Sequence, residues 1–280
     1  MSFNPNELVL EKIRAVEEYN PTTMELEGRY TQIEQPSLQT SATGTQVTDA
    51  MGAEIVTFYN AQQGTFSFTN SLHSLDLMAS QFGSKKEIAG EGDTNTIKVP
   101  VSEIVEIKNN VATLSYVPVG TEGAEVKYAK VINENNTFGK TYTFTAATNE
   151  EADNTSSDAT AAVKDVFIID AKAKTLTFPE GTEGRVFVQY ERESKAAVRV
   201  TKKTDGMPEI KTLIIHAIFH DPCDTNIIYS GVIYVPRAQI NPESVEISLA
   251  PDGKHAAEYR LQKSYCDENA KLFEIIVSEK

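Results

Sequence analysis

The sequence predicts a mainly β protein with one packed α-helix and a second, smaller β unit inserted into the first. Three observations point there. Short runs rich in β-branched and aromatic residues recur along the chain, separated by turn residues. One stretch, residues 70–83, has helical spacing. The middle of the chain crowds about seven strand signals between residues 105 and 193, the density of a small immunoglobulin-like sandwich.

The strand signals come in order. Residues 54–59 (EIVTFY) and 64–68 (GTFSF) open the series, and 97–107 (IKVPVSEIVEI) alternates in part, with Pro100 as an interruption. Residues 111–117, 124–132, 141–146, 166–169, 174–178 and 185–191 follow in the middle unit. After them come 197–201, 210–219 (IKTLIIHAIF), 227–235 (IIYSGVIYV), 244–249, 255–261 and 272–277. So many short strands with regular turn signals indicate a barrel or a sandwich.

The helix is expected to present Leu72, Leu75, Met78, Ala79 and Phe82 on one face, capped by Asn70 or Ser71 and closed by Gly83. Residues 5–18 have weaker periodicity and read as a second helix, an arm or a strand. Breaks at 105 and 193 give a discontinuous host, 1–104 with 194–280, carrying the insert 105–193. The insert's loop 147–161 (ATNEEADNTSSDATA in its setting) is polar, acidic and without apolar anchors, so it is expected to be exposed.

Composition narrows the function. The net charge is −14 over 280 residues. Such a surface repels the phosphate backbone and acidic membranes, so gripping DNA by charge neutralisation is excluded. No basic-then-apolar leader opens the chain, and no apolar run nears the 18 or so residues of a membrane helix. Synthesis and residence in a cytosol are the expectation.

No catalytic motif stands out: there is no G-x-S-x-G, H-E-x-x-H or phosphate-binding glycine loop. The adjacent carboxylates Glu17 and Glu18, and Glu150 and Glu151, lie in stretches that read as solvated. His216, His220, Cys223 and the distant Cys266 are candidate zinc ligands, and the two His share strand parity. Their spacing matches no standard zinc pattern. The alternatives are a Cys223–Cys266 disulfide or, the favoured reading, two reduced and buried thiols. DPCDTN at 221–226 reads as a turn held by Asp side chains. No cofactor is implied, and the chain reads as a non-enzyme.

Residues 49–88 (DAMGAEIVTFYNAQQGTFSFTNSLHSLDLMASQFGSKKEI) resemble virion proteins of tailed bacteriophages, tail-tube proteins above all. So do YERESKAAVRV (190–200), MPEIKTLIIHAIFHDPCD (207–224), GVIYVPRAQINPE (231–243) and QKSYCDENAKLFEIIVSE (262–279). The resemblance implies a tail-tube-like β-barrel or sandwich flanked by a helix, in a protein that assembles with itself. Copies would form rings, commonly hexameric, that stack into a tube in the virion tail and meet other tail proteins. DNA would pass through an acidic lumen without sticking. Residues 1–30 and the polar stretch 34–53 would bridge one ring to the next, or the latter is an ordinary surface loop. The inserted unit would project outward. Other virion locations (capsid decoration, neck, baseplate) are alternatives. So is an adhesin or carbohydrate-binding module, for which Phe138 and Tyr142 are the candidate loop aromatics, with strand-core packing as the favoured reading of both.

Overall fold

A computed structural model describes residues 6–90, 95–145, 165–243, 245–264 and 271–279. The chain divides into two compact units: Met1–Lys86 with Val200–Lys280, and Glu87–Arg199. The expected loop 147–161 lies outside the described residues, apart from which each unit is mainly β.

The first unit contains β1 (Val9–Tyr19), β2 (Leu26–Tyr30), β3 (Ile33–Thr48), β4 (Glu54–Asn70) and the helix α1 (Leu75–Phe82). Within the second lie β5 (Glu87–Ile88), β6 (Ile97–Lys108), β7 (Val111–Thr113), β8 (Val126–Ile132), β9 (Phe138–Phe144), β10 (Val166–Asp170), β11 (Thr175–Thr177), β12 (Gly184–Ser194) and β13 (Val198–Arg199). The chain then returns to the first unit with β14 (Ile210–His220), β15 (Ile228–Ile240), β16 (His255–Leu261) and β17 (Glu274–Glu279).

The strands of the first unit form one eight-stranded sheet, ordered β2-β1-β14-β15-β16-β4-β3, with β17 also paired to β15. Residues 5–18, open between helix, arm and strand, therefore supply β1, which pairs antiparallel with β14. The core is built from alternate positions of these strands: Val16, Leu213, Ile215, Val235 and Tyr259 are fully buried. Phe66 and Phe68 stack beside Tyr259 and Tyr30, with ring centroids 5.7–6.3 Å apart.

Helix α1 starts later than expected. β4 runs through Asn70, where it pairs with both β3 and β16, so the chain cannot turn helical there. Ser74 is the cap, its hydroxyl accepting from the Leu77 amide at 3.3 Å. The delayed start rotates the face: Leu77, Ala79 and Gln81 are buried, whereas Leu72 and Leu75 are exposed. Gly83 does close the helix, at φ 62°. A Cβ there would sit 2.0 Å from the Met207 carbonyl oxygen, so only glycine fits.

The second unit is a ring rather than two facing sheets: β10-β11-β7-β6-β12-β8-β9 close into a seven-stranded barrel. The parallel β9–β10 pair completes it. Phe167, Leu176, Val126, Val186 and Val188 fill the interior. β6 and β12 pair along their whole lengths, from Ile97↔Ser194 to Gly184↔Ile107. The borders expected at 105 and 193 thus fall inside these two strands, and the compact unit extends to Glu87 and Arg199. Pro100 does not interrupt β6. The strand's other neighbour, β7, meets it only at Ile107 and Lys108, so no ladder bond is lost at the proline.

Candidate assembly surfaces

The stretch 34–53 is mostly strand, not an ordinary surface loop. It supplies β3 and the turn of a long hairpin with β4, paired from Ile33↔Asn70 to Thr48↔Glu54. The turn is well made: the Asp49 side chain accepts from the amides of Met51 (2.9 Å) and Ala53 (2.8 Å), and Gly52 supplies φ 84°. The base of this ribbon is covered, because β16 pairs with β4 from Gly64 to Asn70. Beyond Gly64 the two strands pair only with each other among the described residues.

That distal part carries apolar side chains into solvent. Met51 is 94% exposed, Tyr59 73%, Ile55 66% and Phe58 57%. The register puts Phe58 opposite Thr45 and Val56 opposite Val47, which makes one face apolar. Tyr59 lies across Gly44 on the other face. Between Gln35 and Gln63 the sequence has just two charged residues, Asp49 and Glu54, in a chain that is 24% charged. A two-stranded ribbon with both faces bare is marginal in water. Free edges normally carry charge or proline as protection. This ribbon has the composition of a contact surface.

The same sheet has open edges. β2 pairs with β1 only from Val16 onward, leaving Val9 to Ala15 unpaired on one side among the described residues. β17 pairs with β15 on one side alone among the described residues. Exposed apolar residues mark both: Val9 (51%) and Leu10 (50%), Ile275 (56%) and Ile276 (53%). Lys12 and Arg14 lie on the first edge, Glu274 and Glu279 on the second.

The zinc candidates are not brought together. His216 and His220 are four positions apart on β14, which in a strand is about 13 Å. Two ligands of one zinc are only a few ångströms apart. Each ring has another partner: His216 Nε2 lies 3.1 Å from Glu17, and His220 Nε2 lies 2.7 Å from Glu11. The second His220 nitrogen faces the Thr225 carbonyl at 2.7 Å. Both neighbours are acceptors, so they favour the doubly protonated ring, and the hydrogen bond to Glu11 raises its pKa. Cys223 is exposed rather than buried, because it sits in the β14–β15 turn. Cys266 lies outside the described residues. Asp221 does hold that turn, accepting from the Cys223 amide at 2.7 Å. No group of three or more His, Cys, Asp or Glu side chains able to hold a metal occurs among the described residues.

Of the paired carboxylates, Glu17 and Glu18 are on β1, and Glu18 is buried, not solvated. Strand parity turns it inward, where it accepts hydroxyls from Tyr30 (2.9 Å), Ser80 (3.2 Å) and Tyr259. Burial pushes its pKa up, against the hydrogen bonds of Tyr259 and Tyr30 that hold it down. The carboxylate ties β1 to β2, β16 and α1. A cleft of about 420 Å³ opens beside it, lined among others by Asp76, Lys85, Lys86 and Lys211. Lys211 is held there by Glu27 and Glu209. A second polar contact under the helix joins Gln81 to β16. Its amide donates to the Ala256 carbonyl at 2.8 Å, and its oxygen accepts from His255 Nε2 at 2.7 Å. Glu150 and Glu151 lie outside the described residues.

The two aromatics of the barrel divide. Tyr142 packs inside, edge-on to Phe178 at 5.2 Å. Phe138, expected in the core, is 59% exposed on the outer face, against Phe187 (5.9 Å) and under the Lys130 ammonium (5.1 Å). Among the described residues no helix is long and apolar enough to cross a membrane. No protein-family model matches the chain, and no curated protein matches it as a relative.

Proposed function

We propose that this chain is a self-assembling structural protein, a tail-tube protomer of a tailed bacteriophage. Copies join into rings, rings stack, and DNA passes through the resulting tube in the virion tail. The observation that carries the self-assembly is the distal β3–β4 ribbon, a nearly uncharged arm with Ile55, Phe58 and Tyr59 in solvent. Covering Ile55 or Phe58 fully would contribute roughly 1.5–3 kcal/mol each. A neighbouring copy that accepts the arm supplies that cover.

The open edges support the ring. β1 and β17 lie on opposite sides of β14 and β15 and run antiparallel to each other. A head-to-tail contact of one edge with the other repeats from copy to copy and can close. The charge of −14 suits a channel through which a polyanion slides without adsorbing. In this reading the first unit is the tail-tube-like body, and the inserted seven-stranded barrel is an addition to it. The protein carries out no chemistry and needs no cofactor. It is made in the host cytoplasm and works in the virion.

Negative-stain microscopy of the purified chain tests this reading. Rings or stacked tubes with a central channel are expected. A monodisperse monomer at high concentration would overturn it. A second reading, a carbohydrate-binding surface, is favoured by the exposed Phe138 on the barrel's outer face. Glycan-array binding that is lost in Phe138→Ala, from a chain that stays monomeric, would put that reading first.

A further inference from the structure

Two strands share one edge of β15, and they are held very differently. β16 takes Ala238 to Ile240 and buries alternate residues, with Tyr259 fully covered. β17 takes Tyr229 to Tyr234 and buries none of its six residues. What holds β17 is the ladder of main-chain hydrogen bonds. Those bonds are blind to which copy of the chain provides residues 274–279.

We propose that β17 is an exchangeable strand: in the assembled protein it leaves its own β15 and pairs with the Tyr229–Tyr234 edge of a second copy. This rests on the self-assembly reading and names one contact within it. The fit between edge and strand needs no new complementarity, because the chain's own β17 already occupies that edge in register, Tyr229↔Glu279 through Tyr234↔Glu274. The six residues of β17 take no buried side chain with them, and only Leu272 and Phe273 just before them, partly buried against the core, would have to move with the link. Ile275 and Ile276, more than half exposed at home, gain whatever cover the neighbour offers. The link back to β16 is residues 262–273, which spans roughly 40 Å when extended. Within a ring the neighbouring strand is present at high effective concentration, so the same hydrogen bonds can be made between copies without loss.

Ser230 and Ser278 are register partners across β15 and β17, and both are exposed. The test places cysteines at both, Ser230→Cys with Ser278→Cys, in the full chain with Cys223→Ser and Cys266→Ser. The assembled protein is oxidised with diamide and run on a denaturing gel without reductant. Exchange predicts covalent dimers and a ladder of higher species, absent when either new cysteine is left out. Assembled particles whose bridges all run within single chains overturn the exchange and leave the self-assembly reading standing. Assembled particles that form no bridge also overturn it. A chain that never assembles overturns both together.

Discussion

The base and the tip of the β3–β4 ribbon are built from the same two strands, yet they obey different rules. At the base, Phe66 and Phe68 point into a core closed by β16, Tyr30 and Tyr259. Toward the tip the antiparallel ladder continues, with a register shift between Ser41 and Thr43, but Phe58 and Tyr59 point at water. The backbone pairing is the same in kind, so it cannot be what distinguishes them. Burial is. The base belongs to the fold of one chain, and in the proposed assembly the tip is covered by another.

Four substitutions and two pH dependences would break or sharpen that contrast. Phe66→Ala, in the base, should lose about 3–5 kcal/mol of unfolding free energy by chemical denaturation, since it leaves a cavity in a packed core. Next is the acid limb at His255, also beneath the base. Burial lowers its pKa from 6.5 to about 4. The unfolded chain therefore binds a proton that the folded chain refuses, and stability should fall as the pH drops from about 6.5 to about 4. The slope is at most about 1.4 kcal/mol per pH unit. His255→Gln should flatten that limb. Glu18 acts with the opposite sign: its raised pKa means stability is lost as pH rises from 4.5 through its folded value.

Tyr259→Phe removes one of the hydroxyls that Glu18 accepts and should cost about 1–3 kcal/mol. Last comes the tip. Phe58→Ser should change the stability of the monomer by less than about 0.5 kcal/mol. The same variant should abolish rings or tubes in micrographs. A tip variant that unfolds the monomer, or that assembles normally, would erase the distinction between the two halves of the ribbon.

The sequence made much of the sheet legible, because strands with one buried face announce themselves by alternation. GTFSF at 64–68 and EIVTFY at 54–59 both read as strands. The partner strand β3 did not, and the reason is physical. Its outer half, Ser41 to Thr48, is bare on both faces, so it has no apolar alternation to display. The recurring Thr40, Thr43, Thr45 and Val47 were the available signal. The helix was visible but misplaced, because β4 holds Asn70 in a ladder that local spacing does not reveal. Glu18 looked solvated beside Glu17. Its partners Tyr30 and Tyr259 are 12 and 241 residues away, a proximity that the sheet order alone creates. Closure of the inserted barrel depends in the same way on the parallel β9–β10 pair, which no run of residues spells out.

The short β5–β13 pair brings Glu87 opposite Arg199, and the guanidinium meets the carboxylate there. Partners in an antiparallel ladder are about 5 Å apart. The entrance and exit of the whole second unit are therefore no wider than a tight turn. The barrel between them is a closed ring with a core of its own. A unit with such a narrow neck is a cassette: it can be gained, lost or traded in evolution for the cost of one hairpin turn in the host chain.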